Sequence, residues 1–271
     1  MDENQIKLPD QFSTITKLGK PIEIFQAKSY LILQIILAFL FLVISGGLFV
    51  YSTYLGFDLW NKQYYPPIII KTLLPWFLGL IAAVVITVLI GWQIYSSRKK
   101  AAVVYKNGFA YSDFRGVKSC PWDQIKSVTA KVVRNYTYGI YIGTAHTYTL
   151  INLNDEKLTI NDSLSKVERF YDLLQNKSLQ SRYQRSADQY NLGKQVNFGP
   201  ISISKGQGLL IGKKSYPWDG IAEVSIHQGM LSIKKKDGGW FSGATASSSA
   251  IPNLHVLLSI IDQIVGIQTG S

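Results

Sequence analysis

The stretch KSCPWDQIKSV (118–128) returns 96 residues later as KSYPWDGIAEV (214–224). Seven of its eleven positions agree: Lys118/Lys214, Ser119/Ser215, Pro121/Pro217, Trp122/Trp218, Asp123/Asp219, Ile125/Ile221 and Val128/Val224. A chain that writes one phrase twice carries two chemical sites or one structural unit used twice. The flanks favour the second. Ahead of the first copy, VVYK and FAYS straddle Asn107-Gly108, a hairpin signal in which both turn positions take φ > 0. After it come SVTAKVV, GIYIGTAHTYTLINL, a turn at Asn154-Asp155 and KLTI. Such β-branched and aromatic runs, broken by turn residues, predict an antiparallel meander. The period then changes. In DSLSKVERFYDLLQN (162–176), Leu164, Val167, Phe170, Tyr171 and Leu174 share one helical face, with Asp162 or Ser163 as the expected cap.

The second copy repeats the plan. GPISIS, a Gly206–Gly208 turn, LLIG, the phrase, AEVSIH, a turn at Gln228-Gly229, MLSIKKK and a turn at Gly238-Gly239 read as short strands. PNLHVLLSIIDQIVG (252–266) then lays Leu254, Leu257, Leu258, Ile261, Ile264 and Val265 on one stripe. Strands followed by a closing helix, twice over, mark an internal duplication. Within it, proline belongs at a strand start or edge because it cannot donate to a ladder. The tryptophan anchors a small core, the aspartate shapes a turn, and Ile125 and Ile221 begin the next strands. Asp123 and Asp219 have no neighbouring acid, base or nucleophile in the sequence to make a catalytic pair.

Upstream, 30–53 and 72–95 are 24-residue runs without charge, long enough as helices to cross the roughly 30 Å apolar slab of a bilayer. Lys17, Lys20 and Lys28 precede them, Arg98, Lys99, Lys100 and Lys106 follow, and only Lys62 and Lys71 lie between. The positive-inside bias therefore places both ends of the chain in the cytoplasm and the protein in the inner (cytoplasmic) membrane. Small residues Gly46 and Gly47 on one helix, with Gly79 and Ala83 on the other, offer a close-packing surface. The expected organisation is a cytoplasmic segment (1–29), a transmembrane hairpin (30–97), a first module (98–176), a helical linker (177–196) and a second, shorter module (197–271).

A meander with PW-D-x-I-x-x-V leading into a central strand, closed by one amphipathic helix, resembles the bacterial PH-like domains found beside membrane helices. The order of two N-terminal spans and two such modules is similar to a group of bacterial membrane proteins of unknown function. The resemblance implies an α+β fold, with a small β-meander or barrel closed by a C-terminal helix in each module, and a membrane address. It brings no catalytic residues. The second copy departs from the pattern: its stretch from Trp218 to the helix is shorter and includes GATASSSA (243–250), which leaves room for one or two strands fewer.

Chemistry is sparse. The net charge is +11, of which +10 falls on residues 98–271. The single Cys120 forbids an intrachain disulfide and suits a reducing compartment. His146, His227 and His255 lack the spacing and companions of a metal site, so no metal or cofactor is expected. KGQGLLIGKKS (205–215) fails the spacing of a phosphate loop, and no nucleophile elbow or dinucleotide fingerprint occurs. Nothing interleaves arginines and aromatics as a nucleic-acid platform does. An interaction scaffold follows: the modules bind a protein or peptide partner through sheet edges and the groove between them. The alternative is recognition of anionic lipid headgroups. SIKKKDGGWFSG (232–243) sets lysines beside aromatics at a loop tip, so the candidate lipid contacts are Arg98, Lys99, Lys100, Lys213, Lys214, Lys234, Lys236 and Trp240.

Overall fold

The computed structural model describes residues 8–28, 31–212, 214–236 and 243–266, with the backbone alone at 31, 32, 97 and 98. It is a mixed fold of two apolar N-terminal helices, several small antiparallel sheets and two further helices. Residues 27–100 with 112–116 form one compact unit; the rest of the chain forms the other.

In the helical unit, α1 (Leu31–Asn61) and α2 (Pro66–Arg98) are 31 and 33 residues long. At about 1.5 Å per residue each exceeds the thickness of a bilayer's apolar slab, and both are apolar enough to cross one. The segment read as their connection is thus mostly helical, and only 62–65 joins them. Pro75 lies inside α2. The packing surface differs from the expected one. A Cβ on Gly79 would meet the Leu48 side chain at 3.7 Å, one on Gly56 would meet Leu73 at 3.4 Å, and Ala83 is buried. Gly46 and Gly47 have nothing within 4 Å of such a Cβ. Tyr51 packs on Trp76, ring centroids 4.6 Å apart.

The other unit contains the duplication. Strands β1 (Pro21–Gln26), β2 (Ala101–Tyr105), β3 (Gly108–Asp113) and β4 (Gly116–Pro121) form one sheet in sequence order. Strands β5 (Ile125–Thr137), β6 (Ile140–Asn152) and β7 (Lys157–Asn161) form a second, and α3 (Val167–Asn191) follows. The chain then does the same again. Strands β8 (Val196–Phe198), β9 (Ile201–Ser204), β10 (Gly208–Ile211) and β11 (Lys214–Tyr216) form a four-stranded sheet. Strands β12 (Ile221–His227), β13 (Met230–Lys235) and β14 (Ala244–Ser247) form a three-stranded one, closed by α4 (Leu254–Val265). Four strands, a one-turn 3-10 helix begun by the tryptophan, three strands and a helix therefore occur twice.

Two expectations change here. The second repeat lacks no strand: GATASSSA itself supplies β14, and the repeat is shorter because its strands are. Conversely, the N-terminal segment is not a separate piece. β1 pairs antiparallel with β2, Ile24 opposite Val103 and Gln26 opposite Ala101. β2 is thereby an inner strand, and both its faces are buried against a core, which explains its unbroken apolar run AAVVY. Ala102 and Val104 join Phe25, Phe109, Trp122 and Phe170 in the core of the first repeat. Ala101, Val103 and Tyr105 meet Phe12 and Leu18 from the segment before β1.

Glycine marks the phrase in both repeats. The Asn107-Gly108 turn does not use the left-handed backbone expected of it, since neither residue has φ > 0. Gly108 is needed for space: a Cβ there would lie 2.5 Å from the Cys120 carbonyl oxygen and 2.9 Å from Pro121 Cα. Gly208 meets the matching atoms of the second phrase, Tyr216 O at 2.1 Å and Pro217 Cα at 2.8 Å, and also has φ +77°. The closing helices share another device. Lys166 and Asn253 precede them with nearly identical left-handed angles, φ 52°, ψ 39° and φ 53°, ψ 38°. Neither Asp162 nor Ser163 caps α3; the Asp162 carboxylate instead accepts from the His146 amide at 2.6 Å.

Candidate functional site

The phrase is a structural anchor in both repeats. Trp122 donates its indole N–H to the Lys106 carbonyl at 3.1 Å, and Trp218 donates to the Ser204 carbonyl at 3.0 Å. Both acceptors lie at the end of the strand preceding the packed glycine, Lys106 just after β2 and Ser204 as the last residue of β9. Their neighbours differ: buried Trp122 stacks on Phe109 at 5.7 Å, whereas half-buried Trp218 meets Tyr190 of α3 edge-on at 6.3 Å. Pro121 ends an edge strand, as a residue without an N–H must, and Pro217 directly follows one. Ile125 and Ile221 are buried at the start of β5 and β12. Asp123 and Asp219 lie exposed in the first turn of the two 3-10 helices.

The two repeats are joined at the first phrase, and α3 joins them. Its second half, the polar stretch read as a linker, buries Ser178 and Arg182 completely. Leu179, Tyr183 and Tyr190 pack against the core of the second repeat. Ser181 donates to the Trp122 carbonyl at 3.3 Å, and Arg185 donates through Nη2 to the Ile125 carbonyl. Arg182 is the hub. Its Nη1 donates to Asn253 Oδ1 at 2.8 Å, its Nη2 to Gln175 Oε1 at 2.5 Å and its Nε to the Ser178 carbonyl at 3.3 Å. Asn253 in turn grips β5 like a short strand. Its amide donates to Val128 O at 2.8 Å, its Oδ1 accepts from Val128 N at 3.0 Å, and its Nδ2 donates to Lys126 O at 2.9 Å. Burial pulls the Arg182 guanidinium down to about 10, an effect opposed by Tyr171 and reinforced by the charge of Arg185. It remains charged at neutral pH, and its acceptors among the described residues are neutral oxygens.

Beside this hub a cleft of about 420 Å³ opens between the repeats. Lys126 and Ser127 of β5, Arg182, Arg185, Ser186 and Gln189 of α3, Gln195 before β8 and Asn197 within it, and Pro252 and Asn253 before α4 line it. The lining holds three cations, several amides and hydroxyls, and no carboxylate. Burial lowers the Arg185 pKa against the nearby charge of Asp123. Its Nη1 is enclosed and, among the described residues, has no acceptor. Lys126 reaches out to Asp155 at 2.5 Å. On the other side of the Asn253 contact, a second cleft of about 370 Å³ is lined by Val128, Ala130, Val132, Tyr171, Met230, Leu254 and His255. This arrangement can hold a polar, negatively charged segment by hydrogen bonds and charge.

The residues proposed for lipid contact are divided between the two units, Arg98, Lys99 and Lys100 in the helical one and the others in the one that contains the duplication. Lys213 and Trp240, with the turn at Gly238-Gly239, lie outside the described residues, as does the side chain of Arg98. In the helical unit, Lys99 rests its Nζ 4.8 Å from the Tyr95 ring centroid, and Lys100 has partners of its own. Lys214 and Lys236 are exposed. Lys234 is committed to Glu223 at 2.7 Å, and that hydrogen bond lowers the carboxyl's pKa. Lys235 turns over the Tyr216 ring.

Two features were not read from the sequence. One is the Arg182–Asn253 hub, whose only local sign was a pair of arginines inside a polar run. The other is His146, whose ring nitrogens face Asp162 Oδ1 at 2.9 Å and Glu168 Oε1 at 2.8 Å, tying β6 to the start of α3.

A family model described as "Family of unknown function (DUF6585)" matches residues 1–268, and the chain belongs to that family. No curated protein matches the chain.

Proposed function

We propose that this member of a family of unknown function is a non-catalytic, membrane-anchored scaffold whose two repeats, PH-like and cytoplasmic, bind a protein or peptide partner. α1 and α2 would be the anchor in the inner membrane, with both chain ends in the cytoplasm; the seven-to-two excess of flanking cations over those in the connection supports that orientation. The observation that carries the partner reading is the cleft walled by both repeats, with Lys126, Arg182 and Arg185 in its lining and no carboxylate among them. An extended acidic segment suits it, since cations and amide donors line a concave site between the two repeats.

The test is photo-crosslinking in the native membrane with p-benzoylphenylalanine at Gln189, an exposed position on the cleft wall. A discrete adduct is expected at Gln189 and not at Lys118, and Lys126→Glu should diminish it. Equal adducts at both positions overturn the reading.

Headgroup recognition is the alternative, favoured by exposed Lys214 and Lys236 and by the concentration of charge in residues 98–271. For the full chain in nanodiscs it demands amide-exchange protection near those lysines that grows with anionic lipid and fades with salt. Protection indifferent to both removes it.

A further inference from the structure

β7 pairs with β6 only over Thr147–Ile151. Beyond that, β5 and β6 continue as a two-stranded ribbon, Val132 opposite His146 and Thr137 opposite Ile140. The ribbon is roughly 20 Å long at about 3.3 Å per residue. It closes at Tyr138-Gly139, with φ 50° and 80°, the left-handed pair a tight two-residue turn requires. Tyr138 is fully exposed, at 101%, and Ile140 is 70% exposed. Val132, Val133, Tyr136, Tyr141 and Ile142 are exposed too. Strand alternation puts Val133 and Ile140 on one face, while Tyr136 and Tyr141 pair on the other with centroids 5.7 Å apart.

A bare ribbon of this kind is marginal in water, and this one is apolar on both faces. A globular partner covers one face of a ribbon, whereas a bilayer interface surrounds it. Charge favours the same occupant: from Lys131 to Asn154 there is no acid, and the cations are Lys131 and Arg134. Tyrosine places an apolar ring and a hydrogen-bonding hydroxyl at headgroup depth. The unpaired edges limit how deep the ribbon can go, because lone backbone groups are costly in hydrocarbon. We propose that residues 131–146 are an arm that inserts its tyrosine-rich tip into the headgroup region of an anionic bilayer, which rests on reading α1 and α2 as spans. The anchor in the same chain keeps lipid at high local concentration around the arm.

The full chain carrying Cys120→Ser and Tyr138→Cys, labelled with an environment-sensitive fluorophore, is reconstituted into liposomes containing phosphatidylglycerol and shallow nitroxide-labelled lipid. Quenching several-fold above that of a label at the exposed turn position Asn154→Cys is expected. Lys131→Glu with Arg134→Glu should reduce it severalfold. Equal quenching at the two positions overturns the arm, as does energy transfer between labels on two copies without lipid quenching, which would mark a self-association surface. Quenching is read on protein that floats with the liposomes, and resistance to alkaline extraction is read separately. Extraction by alkali sinks the spans while the quenching still decides the arm.

Discussion

Arg182 Nη1 donates to Asn253 Oδ1 at 2.8 Å, a bond across 71 residues that fastens the start of α4 to the helix closing the first repeat. Arg182 is 1% exposed and, among the described residues, makes no ion pair. A charge buried among neutral acceptors is costly unless it is hydrogen-bonded, and here each of the three guanidinium nitrogens donates. Arg182→Ala leaves Gln175 Oε1 without its donor and opens a void. A loss of about 3 kcal/mol is expected. Asn253→Ala should cost about 2 kcal/mol, and the double variant should lose less than the sum, because the two share one bond. Denaturant unfolding of the four proteins followed by tryptophan emission measures this. Strict additivity would show that the bond does not couple the repeats.

The glycines before each phrase are set by crowding. Gly108→Ala and Gly208→Ala each drive a methyl into backbone, at 2.5 Å and 2.1 Å from a carbonyl oxygen. Backbone cannot swing aside as a side chain does, so losses of about 3 kcal/mol or more, or failure to accumulate folded protein, are expected. Gly46→Ala, with nothing within 4 Å, is the control and should be neutral or slightly stabilising. Thermal unfolding in detergent compares them.

Two buried hydroxyls have no partner among the described residues, those of Tyr105 and Tyr216. Removing an unpaired buried polar group relieves its desolvation, so Tyr105→Phe and Tyr216→Phe should each gain up to about 1 kcal/mol. A loss in either would reveal a water or ion serving that hydroxyl.

Cys120 should be slow to react. Burial, with smaller contributions from the Asp123 and Glu156 carboxylates, pushes its thiol up to about 11. Only the thiolate is nucleophilic, so alkylation at pH 8 should run on the order of a hundredfold slower than for a free cysteine, and accelerate up to about pH 11. The folded pKa is the higher one, so this thiol's contribution to stability is whole below the unfolded value near pH 8.5 and declines as pH rises through the folded value. Tyr148, raised by burial and by Glu168, acts in the same direction at still higher pH. Rapid alkylation at pH 8 would contradict this burial.

Deleting residues 1–26 should damage the first repeat, although most of that segment looks like a tail. The deletion bares the β2 edge and removes Phe12, Leu18 and Phe25, which are nearly inaccessible to solvent. Burying such side chains is worth about 2 kcal/mol each, and an open edge invites aggregation. A shortened chain as stable as the full one would mean that β1 is dispensable.

The sequence by itself determined the elements whose cause is local. Charge-free runs of 24 residues specify long apolar helices wherever they occur, and the repeated phrase with its flanking turns specifies a duplicated plan of strands and helix. Turn chemistry at Asp155 and at Gln228-Gly229 was equally legible, because left-handed angles are a property of the turn. Only the tertiary structure decided what depends on distant partners. Pro21–Gln26 is a strand because β2 offers it an edge 75 or more residues later in the chain. Gly108 is required because the Cys120 carbonyl lies against it. NKSLQSRYQRSADQYNLGKQ reads as a polar helical linker by composition. Yet Arg182 within it is buried, because Asn253 and Gln175 supply the acceptors that make burial tolerable. Polar burial is set by geometry between remote residues, and no periodicity or composition along the chain encodes it.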